Sequence, residues 1–333
     1  MTSPTPACDP APLPPAPSRR LWWIAGWAVL AALFAVAAYA LPWSEILAAL
    51  AGARWQWIAV AVVAGVAGWP FWILQWWLLA PAASRPSLSR MAQVTALTGT
   101  ANVSLPMAGV VAAVGFLIMR GRLAPVAAAS VYAVDQLVTG IAKVAILALA
   151  AVLVPVPDWL RAGLLSLSGV ILVLTVLLAV AAHGGNGLRR IGTGLGEKSA
   201  RFVGILAHFV DQLEPMRRPL LGLAVILLAF AKKASEVAVA LAVQVAVGIE
   251  PSLAGAVLVV AALSLATLAP ISPGNLGIYE ATVIFAYQYL GVPLPLAAAA
   301  AFLQHGVTFA TSLLIALYPA WAMPREDRDR PAA

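Results

Sequence analysis

Charge is scarce in this chain: Asp, Glu, Lys and Arg make up only 10% of its 333 residues. A water-soluble globular domain carries about a quarter charged residues, so a soluble fold is excluded. Cysteine is nearly absent. The single one, Cys8, has no partner, which rules out a disulfide framework and a cysteine metal site. Histidine is almost as rare, at three residues, with no second histidine or carboxylate cluster at metal-ligand spacing, so no metal is expected. No phosphate-cradling glycine loop, nucleophile elbow or pair of catalytic acids appears, so no catalytic residue and no cofactor is assigned. The formal net charge of +7 is spread out rather than gathered into a patch with interleaved aromatics, which argues against nucleic acid as a partner. What the chain does have is apolar length: 62% hydrophobic residues and a mean hydropathy of +0.94. These values predict an all-α integral membrane protein.

About 20 apolar residues span a bilayer. Leu21 to Leu41, Trp55 to Ala80, Pro125 to Val154, Gly163 to Ala182, Leu220 to Gly248 and Leu296 to Trp321 meet that length, giving six full spans. Ala38-Tyr39-Ala40 looks like a signal-peptidase site, but the run before it is longer than a typical h-region, so a retained first span is expected. Two further apolar stretches are interrupted by proline and stand in corresponding positions. Pro86-Ser87-Leu88 opens the first, which is broken at Pro106 and reaches Gly121 and Pro125. Pro251-Ser252-Leu253 opens the second, which is broken at Pro270 and Pro273 and reaches Gly291 and Pro295. Interrupted segments at matching places in two halves point to a transporter-like site near the bilayer midplane. Each, Ser89 to Met119 and Leu253 to Leu290, reads as a pair of short helices entering and leaving on one side. By ordinary counting this gives about eight transmembrane segments.

Basic residues test that parity. If both broken pairs return to their own side, 15 of the 20 Lys and Arg face the cytoplasm and only Arg54 and Arg161 fall outside, as the positive-inside rule requires. The two broken pairs then start from opposite faces and form an inverted-topology repeat. The expected organisation is a disordered Pro-rich cytoplasmic tail over 1–18 and one transmembrane domain over 19–322. Within it, repeat one covers about 55–154, a basic cytoplasmic loop 183–219 and repeat two about 220–321, and a cytoplasmic tail follows over 323–333. In that loop Phe202, Val203, Leu206, Phe209, Val210 and Leu213 recur at helical spacing, suiting either an interfacial helix or a solvated connector. Trp22, Trp23, Trp55, Trp57, Trp76 and Trp77 read as headgroup-layer anchors.

Ionisable residues at membrane depth need a partner or a function. They are Asp135, Lys143, Lys232, Lys233, Glu236, Glu280 and His305. Either Lys232 or Lys233 can neutralise Glu236 on one helix face. The other is left to hold a lipid phosphate or to answer Asp135. A lone His305 is more often a hydrogen-bonded packing residue than a proton relay. In Ala269-Pro270-Ile271-Ser272-Pro273-Gly274-Asn275-Leu276-Gly277-Ile278-Tyr279-Glu280 the prolines stop one helix, Gly274 and Gly277 permit tight turns, and a new helix starts at Leu276. Its free amides form an anion site that Asn275 can cap. Glu280 either satisfies those amides or answers a cationic headgroup.

That string resembles the Pro-x-Pro-Gly-Gly-Leu-Gly-x-x-Glu signature of the lysylphosphatidylglycerol synthase transmembrane-region family through Pro270, Pro273, Gly274, Leu276, Gly277 and Glu280. Asn275 stands at the second glycine. Asn102, Pro106 and Gly109 are similar to the family's first element, with Val110 in place of its glutamate, and Asp135-Gln136 replaces the usual Glu-Arg pair. The resemblance implies a stand-alone protein of a bacterial inner membrane, with both termini cytoplasmic, that translocates or handles a polar lipid. It implies no aminoacyl transferase. Anionic, polyprenyl-linked or hopanoid lipids are the implied partners, with a lipid-synthesis enzyme as a further one. Lys143, Lys232 and Lys233 would then attract phosphate, and Asn102, Asn275 and Glu280 would line the breaks. Three other readings stay open: a non-catalytic subunit for a lipid synthase or glycosyltransferase, a lipid-modifying membrane enzyme, and a small-solute transporter.

Overall fold

The computed structural model describes residues 41–104, 109–192, 218–268 and 272–328 and seven positions between Trp27 and Tyr39; side chains are described except at Ser104, 176–192, Pro273 and 320–328. Ten α-helices and no strand occur among the described residues: α1 (Trp43–Ala51), α2 (Trp55–Leu79), α3 (Leu88–Ser104), α4 (Gly109–Met119), α5 (Pro125–Leu153), α6 (Asp158–Gly192), α7 (Pro219–Val247), α8 (Leu253–Ala266), α9 (Ile278–Tyr289) and α10 (Leu294–Arg328). The positions described between Trp27 and Tyr39 are helical as well. The Pro-rich tail, Pro106, Pro270 and the proposed helix around Phe202–Leu213 lie outside the described residues.

Sequence signals set the helix ends. Pro125 and Pro219 open α5 and α7 at the first turn, where a missing N–H costs nothing. Gly248 closes α7 in the left-handed region (φ 81°), with the Ile249 N–H returning to Gln244 O at 2.9 Å. Gly291 (φ 81°) closes α9 in the same way, Val292 N–H donating to Tyr287 O at 3.0 Å. Three boundaries differ from expectation. α6 starts at Asp158 and continues through Gly192, so the first part of the basic loop is helix. α10 runs to Arg328, past the expected tail boundary. α1 is a short helix that apolar-run counting passed over, because nine residues cannot span.

Contacts between ends give the topology. Arg54 N–H donates to Ala246 O (2.9 Å), joining the start of α2 to the end of α7, and Gly68 of α2 faces Ser235 of α7 midway, so these two helices run antiparallel. Gly65 meets Thr311, and Trp69 meets Tyr318 with ring centroids 5.3 Å apart, so α2 and α10 run parallel. Tyr318 donates to Ser89 Oγ (3.2 Å), bringing the end of α10 beside the start of α3. At that end of the bundle Leu79, Met91, Leu117, Leu123 and Ala127 share one apolar cluster, so α3 and α4 leave and return together. At the opposite end a Cβ on Gly255, near the start of α8, would lie 3.2 Å from Leu290 beyond the end of α9. The two broken pairs are therefore hairpins inserted from opposite ends of the bundle.

None of α4, α8 and α9 exceeds 14 residues, about 21 Å at 1.5 Å per residue, short of a hydrocarbon core of about 30 Å. α8 is buried on every face from Gly255 to Ser264, which suits an apolar helix enclosed by protein. The outer helices face the other way, with Leu165, Leu172 and Val173 of α6 and Leu313 and Leu317 of α10 exposed as lipid-facing surface. Among the described residues four helices are long and apolar enough to cross a membrane, within α2, α5, α6 and α10.

Candidate functional site

The tips of the two hairpins meet. A Cβ on Gly274, in the turn between α8 and α9, would lie 3.0 Å from Val103 O at the tip of the first hairpin, and Gly109 sits against the Asn102 side chain. Such closeness requires glycine. Gly274 also has φ 56°, and Asn275 follows at φ 58°, a conformation that asparagine tolerates better than most side chains.

Below the joined tips lies a cavity of about 480 Å³, lined by Asn102, Val103, Gly274 and Asn275 from the tips, Lys143 from α5, Lys232, Lys233 and Glu236 from α7, and Gln304 and His305 from α10. Pro106 lies outside the described residues. Asp135, Gly277 and Glu280 stand behind the wall.

The charges sort into pairs. Lys233 Nζ contacts Glu236 Oε2 at 2.6 Å, one turn away. Lys232 points to Asp135 Oδ1 at 3.9 Å and over the Trp72 ring at 5.5 Å. Asp135 is 3% exposed and accepts from Gln75 Nε2 (3.0 Å) and Gln136 Nε2 (3.2 Å). The choice left open by spacing is thus resolved: Lys233 takes Glu236, and Lys232 answers Asp135. Lys143 has neither a hydrogen bond nor an ion pair among the described residues. It is the unclaimed cation of the wall.

The second tip is fastened from below. Glu280 Oε2 accepts from Gly277 N–H at 2.7 Å, satisfying an amide at the start of α9. Its Oε1 lies 2.6 Å from His305 Nδ1, and His305 Nε2 lies 3.0 Å from Gly274 O. Tyr279 stacks on the imidazole at 4.2 Å and Phe309 leans on its other side at 4.7 Å. Glu280, not Asn275, therefore caps α9. The reason is geometric, since Gly277 rather than Asn275 occupies the N-cap and the Asn275 Oδ1 is buried without a partner.

Five buried polar atoms on this cavity have no hydrogen-bond partner among the described residues: Thr139 Oγ1, Ser264 Oγ, Asn275 Oδ1, Gln304 Oε1 and Thr311 Oγ1. Buried polar groups are almost always satisfied, and leaving one unmade costs about 1–3 kcal/mol. Their concentration on one wall marks a surface that water or a polar ligand completes. Composition gave no sign of Thr139, Ser264 and Thr311, because single hydroxyls on apolar helices usually bond to their own backbone.

Residues 23–316 match the model of the lysylphosphatidylglycerol synthase TM region. The chain belongs to this family. No curated protein and no solved structure matches it. As a lysylphosphatidylglycerol synthase TM-region protein it is a multi-pass membrane protein concerned with lipid handling. Glu280, which fastens the second tip, is the residue that the motif resemblance sets at the signature's glutamate. One further expectation fails: Trp76 is 1% exposed and packs edge-on against Trp72 at 5.2 Å, so it is a core residue rather than a headgroup anchor. Trp55 is 70% exposed, as an anchor should be.

Proposed function

We propose that this protein moves a polar lipid across the bilayer, the headgroup passing through the central cavity while the acyl chains stay outside. The supporting observation is the meeting of two hairpins from opposite ends over a cavity whose wall holds unpaired polar atoms. Backbone breaks at membrane depth persist only where protein or a wet cavity covers them.

The wall favours an anionic headgroup. Lys143, Lys232 and Lys233 line it against one carboxylate, Glu236, and an ammonium held without a counter-ion recognises phosphate as a point charge. A second, apolar slot of about 510 Å³ runs between α5 and α7, lined by Ala142, Ile146, Leu149, Phe230 and Leu241. Lys233 borders both slot and cavity, so one lipid fits with tails in the slot and headgroup inward. The reading places the protein in a bacterial inner membrane with both termini cytoplasmic, and assigns it no covalent chemistry.

The test is headgroup translocation in proteoliposomes, using a fluorescent anionic phospholipid and dithionite quenching. Lys143→Met lowers the rate at least about tenfold, the effect of losing one charge-assisted contact, and Lys143→Arg retains part of it. Parent protein no faster than empty liposomes, for anionic and neutral headgroups alike, would sink the proposal.

A further inference from the structure

Both ring nitrogens of His305 face oxygen atoms, and that fixes a proton count. The Gly274 carbonyl can only accept, so Nε2, 3.0 Å away, carries a hydrogen. Nδ1 lies 2.6 Å from Glu280 Oε1, a separation that needs one proton between the two atoms, whether as imidazolium with carboxylate or imidazole with carboxylic acid. The pair therefore holds one proton beyond the Nε2 hydrogen.

We propose that His305 and Glu280 form a proton-binding site whose occupancy holds the second hairpin tip against the first. When the shared proton leaves to cavity water, a neutral imidazole retains a single N–H for two acceptors. Glu280 stays in place because its other oxygen holds Gly277 N–H at 2.7 Å. An N–H shifted to Nδ1 serves the carboxylate and turns the Nε2 lone pair toward Gly274 O, so the contact that fails is the one to the tip. The tip is poised to respond, since Asn275 sits at φ 58°, a backbone that costs an L side chain about 1–2 kcal/mol and persists only while surrounding contacts impose it, and Gly274 beside it is free to turn. Gly274 is also the residue pressed against Val103 O. Loss of one proton thus unfastens the junction between hairpins.

The groups facing this site are few. Glu280 and Tyr279 come from α9, and Phe309 is the ring beside it on α10. Across the cavity α7 presents Lys232, Lys233 and Glu236, α5 presents Lys143, and α3 presents only the uncharged Asn102 and Val103. With Lys232 and Lys233 matched to carboxylates, Lys143 is the cation that opposes added positive charge and the one an arriving anion neutralises. Proton binding and anion binding therefore favour each other, which makes the cavity a proton-linked one.

The site is tested without any transport assay, so it stands or falls apart from the translocation proposal. His183→Gln and His208→Gln leave His305 as the only histidine of the three, and its ring nitrogens are followed by ¹⁵N NMR across pH in lipid nanodiscs. Hydrogen exchange of the amides around Asn275 and Gly277, corrected for intrinsic rate, is read in parallel. Expected are one proton lost from the pair as pH rises and a fall in tip protection of at least about tenfold at the same pH, the weight of one charge-assisted hydrogen bond. Glu280→Gln keeps the tip protected as pH rises, because its amide donates to Nδ1 of a neutral imidazole, its oxygen accepts from Gly277, and Nε2–H still serves Gly274 O without a shared proton to lose. Overturning results are proton loss without change in protection, protection flat with pH in the parent chain, or a Glu280→Gln variant that follows the parent's pH response. The parent chain alone suffices if that variant does not fold.

Discussion

Replacing Gly274 by alanine tests the tip junction most directly. The new methyl would stand 3.0 Å from Val103 O and 2.9 Å from Phe309 Cζ, with the backbone at φ 56°. Left-handed backbone costs an L side chain about 1–2 kcal/mol. A backbone oxygen cannot rotate away, so the tips must separate by a few tenths of an ångström, and forced overpacking adds about 1–3 kcal/mol. The sum is about 2–5 kcal/mol. Gly306→Ala is the control, one residue from His305 in α10, where an added Cβ meets no heavy atom within 4 Å; it should gain about 0.5–1 kcal/mol from helix propensity. Thermal unfolding of the two variants in the same detergent reads the gap. At the low end of the roughly 2–4 °C per kcal/mol known for chains of 150–250 residues, which suits this longer chain, the combined gap of about 2.5–6 kcal/mol puts Gly274→Ala about 5–12 °C below Gly306→Ala. Equal melting of the two would show that the hairpin tips do not touch, and the shared cavity would go with them.

Asp135→Ala leaves Lys232 facing bare protein at membrane depth, a change that costs about 3–5 kcal/mol for a broken buried pair, while Asp135→Ala with Lys232→Met recovers most of it; detergent stability of the single and double variants decides. Gly68→Ala puts a methyl 2.6 Å from Ser235 Oγ and destabilises the α2–α7 contact, whereas adding Ser235→Ala leaves an ordinary 3.6 Å approach to Cβ. A double-mutant cycle on unfolding should return a favourable coupling of at least about 0.5 kcal/mol, and additive effects would refute the packing.

The legible part of this fold was whatever hydropathy and proline order encode. Helices α2, α5, α7 and α10 start within about two residues of the expected positions, because apolar length and Pro125 or Pro219 mark them. The breaks were legible as breaks, since Pro273, Gly274 and Gly277 have few other uses in an apolar stretch. Partner choice was not legible. Lys232 and Lys233 are adjacent and both reach Glu236 by spacing alone; only the position of Asp135 on α5, held by Gln75 of α2, separates them. His305 lies 25 residues from Glu280 and 31 from Gly274, and no local periodicity links the three. The orphan hydroxyls were hidden for the same reason, since a lone threonine announces itself only once its neighbours are known.

The distribution of burial explains why polarity sits where it does. α8 is apolar but for Ser264 and is covered from Gly255 to Ser264, while the longer spans turn Leu and Val outward to lipid. Such a helix offers its surroundings one polar side chain, Ser264, so other groups pointing toward it find partners elsewhere or stay unpaired. Glu236, Asp135 and Glu280 find them in Lys233, Lys232 and His305. Thr139, Ser264, Gln304 and Thr311 do not, and they line the same cavity as Lys143, which has no counter-ion among the described residues. An unpaired lysine alone would be a defect of the wall, and unpaired hydroxyls alone would be filled by water. In the proposed translocation, together they give an anionic headgroup both its charge and its hydrogen bonds.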